Sequence, residues 1–336
     1  MPQNTHVSPD AIFDALTAYQ LTAALKAAIE LDLFSVIGDQ RLTAADLAER
    51  CTGSERGVRI LCDYLVTTGF LDKEGGAYGL TDVSAAFLRR ESPQYMGSIA
   101  GFLASTHLRD LFSRPADAVR RGGTVFEQGS VSPDHPMWVD FARAMAPMMG
   151  LPAQLMADEL KGRLPAKPKV LDIAAGHGVF GVTIGQRFPE ADVVAVDWKN
   201  VLAVAEENAR RAGLNGRFRS LPGSAFETPF GEGFDVVLIT NFLHHFDHPT
   251  NVALLKKVAA ALKPGGIALS LEFVPNEDRV SPPIPARFSF VMLNSTPAGD
   301  AYTVRELTAM HREAGFRQIE VKALPPTPQS LVVAQK

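Results

Sequence analysis

A short apolar run, Val170-Leu171-Asp172-Ile173, leads without a break into Ala174-Ala175-Gly176-His177-Gly178 and on into Val179-Phe180-Gly181. The pattern is a buried strand, a glycine-rich turn and the start of a helix, and no other stretch restricts the fold as much. Glycines at such a turn let backbone approach a nucleotide-like ligand closely. The spacing Gly176-x-Gly178-x-x-Gly181 also fits the dinucleotide fingerprint, which taken alone discriminates poorly. Asp172 narrows the choice. A carboxylate at the end of the strand repels a pyrophosphate but attracts an ammonium group.

Downstream residues fall into the same frame. Ala191–Asp197 reads as a second parallel strand ending in an acid, placed to accept hydrogen bonds from both hydroxyls of a ribose. Trp198 follows, with a flat apolar face suited to an adenine. Arg217–Leu221 is a third strand position, with Gly223-Ser224-Ala225-Phe226-Glu227 in the loop behind it. Phe234–Thr240 is a fourth strand, nearly all apolar as a strand buried on both faces should be, and Asn241 follows it. Leu262-Lys263-Pro264-Gly265-Gly266 is expected to end the next helix and lead into a fifth strand, Ile267–Leu271. Alternation of strand and helix from about residue 168 onward predicts an α/β fold with a doubly wound parallel sheet. The alternative makes Asp172 and Asp197 only helix or loop caps. S-adenosylmethionine carries an ammonium group and no phosphate, and this segment resembles motif I of a class I methyltransferase.

Composition bounds the rest. The chain has 336 residues, 46% hydrophobic and 21% charged, enough for two cores of ordinary domain size. A net charge of -4 gives no global attraction to nucleic acid or anionic lipid. Two cysteines, Cys51 and Cys62, are too few for a disulfide framework and fit buried thiols in a reducing compartment. The N-terminus lacks a basic stretch followed by an apolar run, so no signal peptide is expected. No segment approaches ~20 uninterrupted apolar residues, so no membrane span is expected either. A cytoplasmic location is the default expectation.

The first half of the chain reads differently. Ile12 to Leu33 places apolar residues at helical spacing (Ile12, Leu16, Leu21, Ala24, Leu25, Ala28, Leu31). Thr43 and Asp46 open a second helix as a capping pair, and Ser54 caps a third. Phe70–Leu80 reads as a hairpin around Gly75-Gly76. Helices followed by a hairpin form a winged-helix pattern, which allows DNA binding. The candidate recognition helix, however, offers only Arg56 and Arg59 against Glu55 and Asp63, where a major-groove reader carries a denser basic footprint. The other reading is an oligomerisation scaffold, since the first helix has more apolar surface than one small domain covers.

Further segments carry a resemblance over almost the whole length. Gly122-Gly123-Thr124-Val125-Phe126-Glu127, Phe141-Ala142-Arg143-Ala144-Met145, Leu243-His244-His245-Phe246-Asp247 and Leu271-Glu272-Phe273-Val274-Pro275 resemble motifs of the two-domain O-methyltransferases. That family includes plant caffeic acid and isoflavone enzymes and bacterial natural-product and hydroxyindole relatives. The resemblance implies a winged-helix dimerisation domain over residues 1–100 and linking helices over 101–165 that contribute to an acceptor pocket. A Rossmann-like catalytic domain with a mostly parallel seven-stranded sheet would follow over 166–336. It implies S-adenosylmethionine as cofactor, bound by Asp172, Gly176, Gly178, Asp197, Trp198, Ser224, Ala225, Phe226 and Asn241. It also implies a homodimer, no metal, and no nucleic-acid or membrane partner.

Methyl transfer from a sulfonium is an in-line displacement in which the electrophile is already activated, so the protein's task is chiefly alignment. A hydroxyl becomes a better nucleophile when a base removes its proton. Histidine suits that role, with an unperturbed pKa of ~6.5. His244 lies just past the fourth strand, at the edge where open α/β sheets place ligands. The resemblance makes it the base and Glu272 its orienting partner. His244, His245, Asp247 and His248 also read as a cap for the next helix or as a metal-like cluster. The acceptor would be a small, aromatic, hydroxylated molecule lined by Phe141, Met145, Met149, Phe290 and Asn294, with Trp138, Met148, Phe288 and Met292 nearby. Methionine and aromatic stripes at helical spacing also read simply as core.

Several positions depart from the family. Ala301 stands where the plant enzymes carry a second glutamate, unless Asp300 substitutes. His245 and Phe246 replace an Asp-Trp pair, Ser224 replaces an aspartate beside the adenine, and Thr240 aligns with a lysine. Two other functions stay open: C- or N-methyl transfer by positioning alone, and a ligand-sensing DNA-binding regulator.

Overall fold

The structure, a computed structural model, describes residues 8–126 and 137–336, so Glu127 of the quoted motif lies outside the described residues. The chain forms two compact units, the first ending at Thr106 and the second beginning at His107.

In the first unit the expected long helix runs Asp10–Glu30 and then breaks, with Asp32 in the left-handed region (φ 54°) before a short helix Leu33–Ile37. The break turns Leu33, Phe34 and Ile37 into the core with Leu47, Val58 and Leu65. Thr43 and Asp46 form a reciprocal capping box at helix Ala44–Arg50, and Ser54 caps helix Glu55–Thr67. Strands β1 (Leu42–Thr43), β2 (Leu71–Glu74) and β3 (Ala77–Leu80) pair antiparallel in the order β1-β3-β2. The β2–β3 turn needs positive φ at both central residues, and Gly75 (57°) and Gly76 (83°) supply it.

The second unit is an α/β layer built on seven strands: β4 (Lys169–Ile173), β5 (Asp192–Asp197), β6 (Phe218–Pro222), β7 (Phe234–Thr240), β8 (Leu262–Glu272), β9 (Gln318–Ala323) and β10 (Ser330–Gln335). Their order is β6-β5-β4-β7-β8-β10-β9, and β10 runs against the others. Alternate residues of each strand feed two cores. Leu171, Ile173, Val237 and Ile239 pack on helices His248–Ala261 and Val304–Glu313, whereas Val170, Val236 and Leu238 pack on Gly150–Glu159 and Val179–Arg187. One expectation is corrected here. Leu262–Gly266 does not end the helix, which stops at Ala261; it begins β8, with Leu262 paired to Phe234 and a register shift before Val236. Gly265, at φ 77°, lets strand backbone absorb that irregularity. Chain order reverses at β4, with β5 on one side and β7 on the other, and the C-terminal ends of strands at such a switch point are where α/β sheets place their ligands. Ile173, Asp197, Thr240 and Glu272 all end strands at that edge.

Candidate active site

The turn after β4 is electrostatically unusual. Asp172 is fully buried; its Oδ2 accepts from the Gly181 N–H at 3.0 Å, and its Oδ1 has no partner among the described residues. Burial, opposed by that one hydrogen bond and reinforced by the nearby Asp197 carboxylate, raises its pKa to about 7. Gly178 (φ 71°) starts helix Val179–Arg187, and a Cβ there would stand 2.8 Å from the Ala205 Cβ. A Cβ added at Gly176 (φ 57°) would meet only the Ala174 carbonyl oxygen, at an ordinary contact distance of 3.9 Å. Asp197 accepts from the N–H of Gly176 at 2.8 Å and of Trp198 at 2.7 Å, which ties the end of β5 to the glycine turn. Burial raises its pKa to about 6.

Beyond β5, Trp198 packs with Val201 and Val204 against Trp138, Val139 and Ala142 of helix Met137–Met145. Ser224 Oγ accepts from the Phe226 N–H at 3.2 Å, so it shapes its own loop and keeps its hydroxyl proton for another acceptor. Ala225 is buried and Phe226 is 37% exposed. Asn241 sits at positive φ (52°), accepts from Gln329 Nε2 at 3.1 Å and directs its amide N–H to the Met149 sulfur at 3.7 Å.

The second cluster lies at the ends of β7 and β8. His244 and Glu272 are buried, and His244 Nδ1 meets Glu272 Oε2 at 2.5 Å. Glu272 Oε1 accepts from the N–H groups of Leu243 (2.8 Å) and Phe242 (3.0 Å). The carboxylate is therefore saturated by its own turn on one side and by the imidazole on the other. Phe288 meets the His244 ring edge-on at 4.8 Å and stacks on Phe273 at 4.3 Å. His245 lies edge-on to Trp138 at 5.8 Å; burial, followed by the charge of His244, holds it well below the ordinary histidine pKa.

The His-Asp run disperses. Asp247 caps helix His248–Ala261 by accepting from the Thr250 N–H, and His248 pairs with Glu313. Among the described residues no three His, Cys, Asp or Glu side chains converge on a possible metal position. Met149 is buried in the sheet core, whereas Met145 and Phe141 are half-buried. Phe290 is 48% exposed and leans on Phe112 at 5.9 Å, so Phe288, two residues earlier, is the aromatic that touches His244. Asn294 is buried, donates to the Phe290 carbonyl and leaves Oδ1 without a partner among the described residues. Asn251 escaped the sequence reading: its Nδ2 donates to the carbonyls of Leu243 (2.8 Å) and Phe246 (3.2 Å), bracketing the His244 turn. An asparagine at helical spacing with Leu254, Leu255 and Val258, on the helix's apolar face, was the available signal.

Comparison with known proteins gives this geometry a family. Residues 13–90 match an O-methyltransferase dimerisation domain and residues 170–266 a methyltransferase domain. A proposed O-methyltransferase of Nostoc punctiforme, known from its crystal structure, is 45% identical with a TM-score of 0.95, covering 99% of this chain and 100% of its own. The chain belongs to the two-domain S-adenosylmethionine-dependent O-methyltransferases. The 3-hydroxy-5-methyl-1-naphthoate 3-O-methyltransferase of Streptomyces sahachiroi is 28% identical over 93% of this chain and 90% of its own. Human N-acetylserotonin methyltransferase, solved with S-adenosylmethionine, shares the fold at 22% identity and a TM-score of 0.84, over 100% of this chain and 99% of that one. In this O-methyltransferase Asp300 is ion-paired to Arg279 at 2.9 Å and accepts from the Ala301 N–H, while Ala301 is fully buried.

Proposed function

We propose that this O-methyltransferase acts on a hydroxyl of a small aromatic acceptor, with His244 as general base and Glu272 as the residue that orients it. The observation that carries the reading is the buried 2.5 Å contact between His244 Nδ1 and a carboxylate already held by two backbone N–H groups. Anchored that way, Glu272 keeps the proton on Nδ1 and leaves the Nε2 lone pair to accept a hydroxyl proton. Its negative charge then stabilises the imidazolium that forms. Phe288 and the Trp138–His245 contact make the surroundings aromatic, which suits a flat acceptor. The activity of the Streptomyces relative on a naphthoate hydroxyl supports the same class. Phe141, Met145, Met149, Phe290 and Asn294 remain the proposed acceptor contacts, and the unpartnered Asn294 Oδ1 would receive a hydrogen bond.

The first cluster fits S-adenosylmethionine. An unpartnered buried carboxylate oxygen on Asp172 suits an ammonium group, and the lack of a side chain at Gly176 suits close backbone approach. Asp197 retains lone pairs for ribose hydroxyls, with Gly178 shaping the turn and Asn241 closing the site. Trp198, Ser224, Ala225 and Phe226 would flank the adenine. When bound, the cofactor supplies a methyl group activated by its sulfonium. The chain's own contribution is to align the acceptor and to take its proton. The protein is further proposed to work as a homodimer through residues 13–90.

The test is an assay of the purified protein with isotope-labelled S-adenosylmethionine and a panel of hydroxylated naphthoates and indoles. Labelled methyl ethers are expected. Labelled products methylated on carbon or nitrogen, with none on oxygen across the panel, would overturn the hydroxyl assignment.

A further inference from the structure

We infer that Lys257 is a positioning residue for the cofactor: its ammonium group fixes the Ala225–Phe226 backbone as the adenine wall. The inference rests on the proposed role of that loop. Lys257 Nζ donates to the carbonyls of Ala225 and Phe226, each at 2.9 Å, and lies 4.0 Å from the centre of the Phe230 ring. All three contacts belong to one loop. Its neighbour Lys256 is exposed, as a helix-surface lysine ordinarily is.

The loop needs such a tie. Its amides are engaged locally: Gly223 bonds back to Asp197, Glu227 and Thr228 bond to the Ser224 carbonyl, and Phe226 bonds to Ser224 Oγ. Among the described residues no backbone N–H reaches the Ala225 or Phe226 carbonyl. Lys257 satisfies both with charge-assisted bonds, which are stronger than neutral ones. Burial pushes its pKa below the ordinary lysine value, the direction expected for an ammonium drawn out of water against protein.

The same helix carries a second clamp. Asn251, six residues earlier on His248–Ala261, brackets the His244 turn through two carbonyls. Six residues span about 9 Å of helix axis. One rigid rod therefore registers the base-bearing turn against the loop proposed to hold the adenine, and the two clamps should fail separately.

The experiment measures S-adenosylhomocysteine affinity by calorimetry, steady-state kinetics and melting temperature for Lys257→Met, Lys257→Arg and Asn251→Ala. Lys257→Met, which removes both charge-assisted hydrogen bonds and so loosens the loop, is expected to weaken the product complex and raise the S-adenosylmethionine KM about tenfold. Its kcat at saturating cofactor and its acceptor KM should not change, and Lys257→Arg should recover most of the affinity. Asn251→Ala should lower kcat with the S-adenosylhomocysteine Kd unaltered. Unchanged affinity in Lys257→Met, or a loss shared equally by kcat, both KM values and melting temperature, would overturn the positioning role. Failure of the unaltered protein to bind S-adenosylhomocysteine would instead overturn the cofactor reading beneath it.

Discussion

His244 is held from one side, and that asymmetry dictates how its variants should behave. His244→Ala is expected to lower kcat by about 10²–10⁴, the range for loss of a general base, with S-adenosylhomocysteine affinity unchanged. Turnover near that of the unaltered enzyme would leave alignment alone to carry the reaction. Glu272→Gln should cost a comparable factor, for a reason visible only in the structure. Oε1 must face the N–H groups of Phe242 and Leu243, so the amide NH₂ would face Nδ1 and force the proton onto Nε2, the wrong tautomer for a base. Asp172 and Asp197 set a separate pH dependence. Both folded-state values, about 7 and about 6, lie above the ordinary 3.8, so the folded protein holds protons that the unfolded chain has released. Stability from these groups is full below about 3.8 and is lost as pH rises through 6 to 7. A ligand ammonium reverses the balance because it favours the ionised carboxylate. Calorimetry should therefore find S-adenosylhomocysteine bound about tenfold more tightly at pH 8 than at pH 6, and Asp172→Asn should flatten the difference.

At the scale of elements, what was legible in the sequence is what local chemistry decides. The strand–turn–helix at 170–181, the capping box at Thr43 and the diglycine hairpin are each dictated by neighbours in sequence, and each formed as read. The break at Asp32 and the early start of β8 depend on which residues a distant partner accepts into its core or ladder, and no local pattern announces that. The same limit hid Lys257 and Asn251, whose side chains act on loops 31 and 8 residues away, and left Phe288 and Phe290 undivided. His244 and Glu272 were legible through the motifs that carry the family resemblance and because Glu272 ends β8 and His244 follows the end of β7 by four residues, which places both at one edge of the sheet. The glycine turn allows a test of form against function. Gly178→Ala places a methyl 2.8 Å from Ala205 at φ 71°, so melting should show about 1–3 kcal/mol of destabilisation. Gly176→Ala meets no atom closer than 3.9 Å, so its cost is limited to the φ of 57°. It should keep most stability yet lose S-adenosylhomocysteine affinity, because the added methyl would hold the cofactor off the turn's backbone. Equal affinity in Gly176→Ala and the unaltered protein would remove that turn from the site.

At the scale of the whole molecule, the helix Asp10–Glu30 has too little of its own core to explain its composition. Ala28 is its only buried residue, whereas Ile12, Phe13, Leu16 and Tyr19 are 63%, 61%, 70% and 67% exposed. Ile12, Leu16 and Tyr19 recur at i, i+4 and i+7, so with Phe13 they form one apolar stripe along about two turns. Water contact over such a stripe is unfavourable at roughly 25 cal/mol per Å², and the proposed homodimer would cover it with the same surface of a second copy. Phe13, Leu16 and Tyr19 of this stripe fall within residues 13–90, which match a dimerisation domain, and Ile12 adjoins them. An obligate interface of this kind buries more than ~2,000 Å², so the protein should run as a dimer in light scattering at micromolar concentration. Leu16→Glu would place a carboxylate without a partner in the middle of the stripe, at a cost of several kcal/mol per copy on the order set by charge desolvation. The variant should therefore scatter as a monomer or a concentration-dependent mixture, while a surface control such as Glu55→Gln stays dimeric. A unaltered protein that scatters as a monomer at that concentration, or a Leu16→Glu variant that remains fully dimeric, would show that this helix is not where two copies meet.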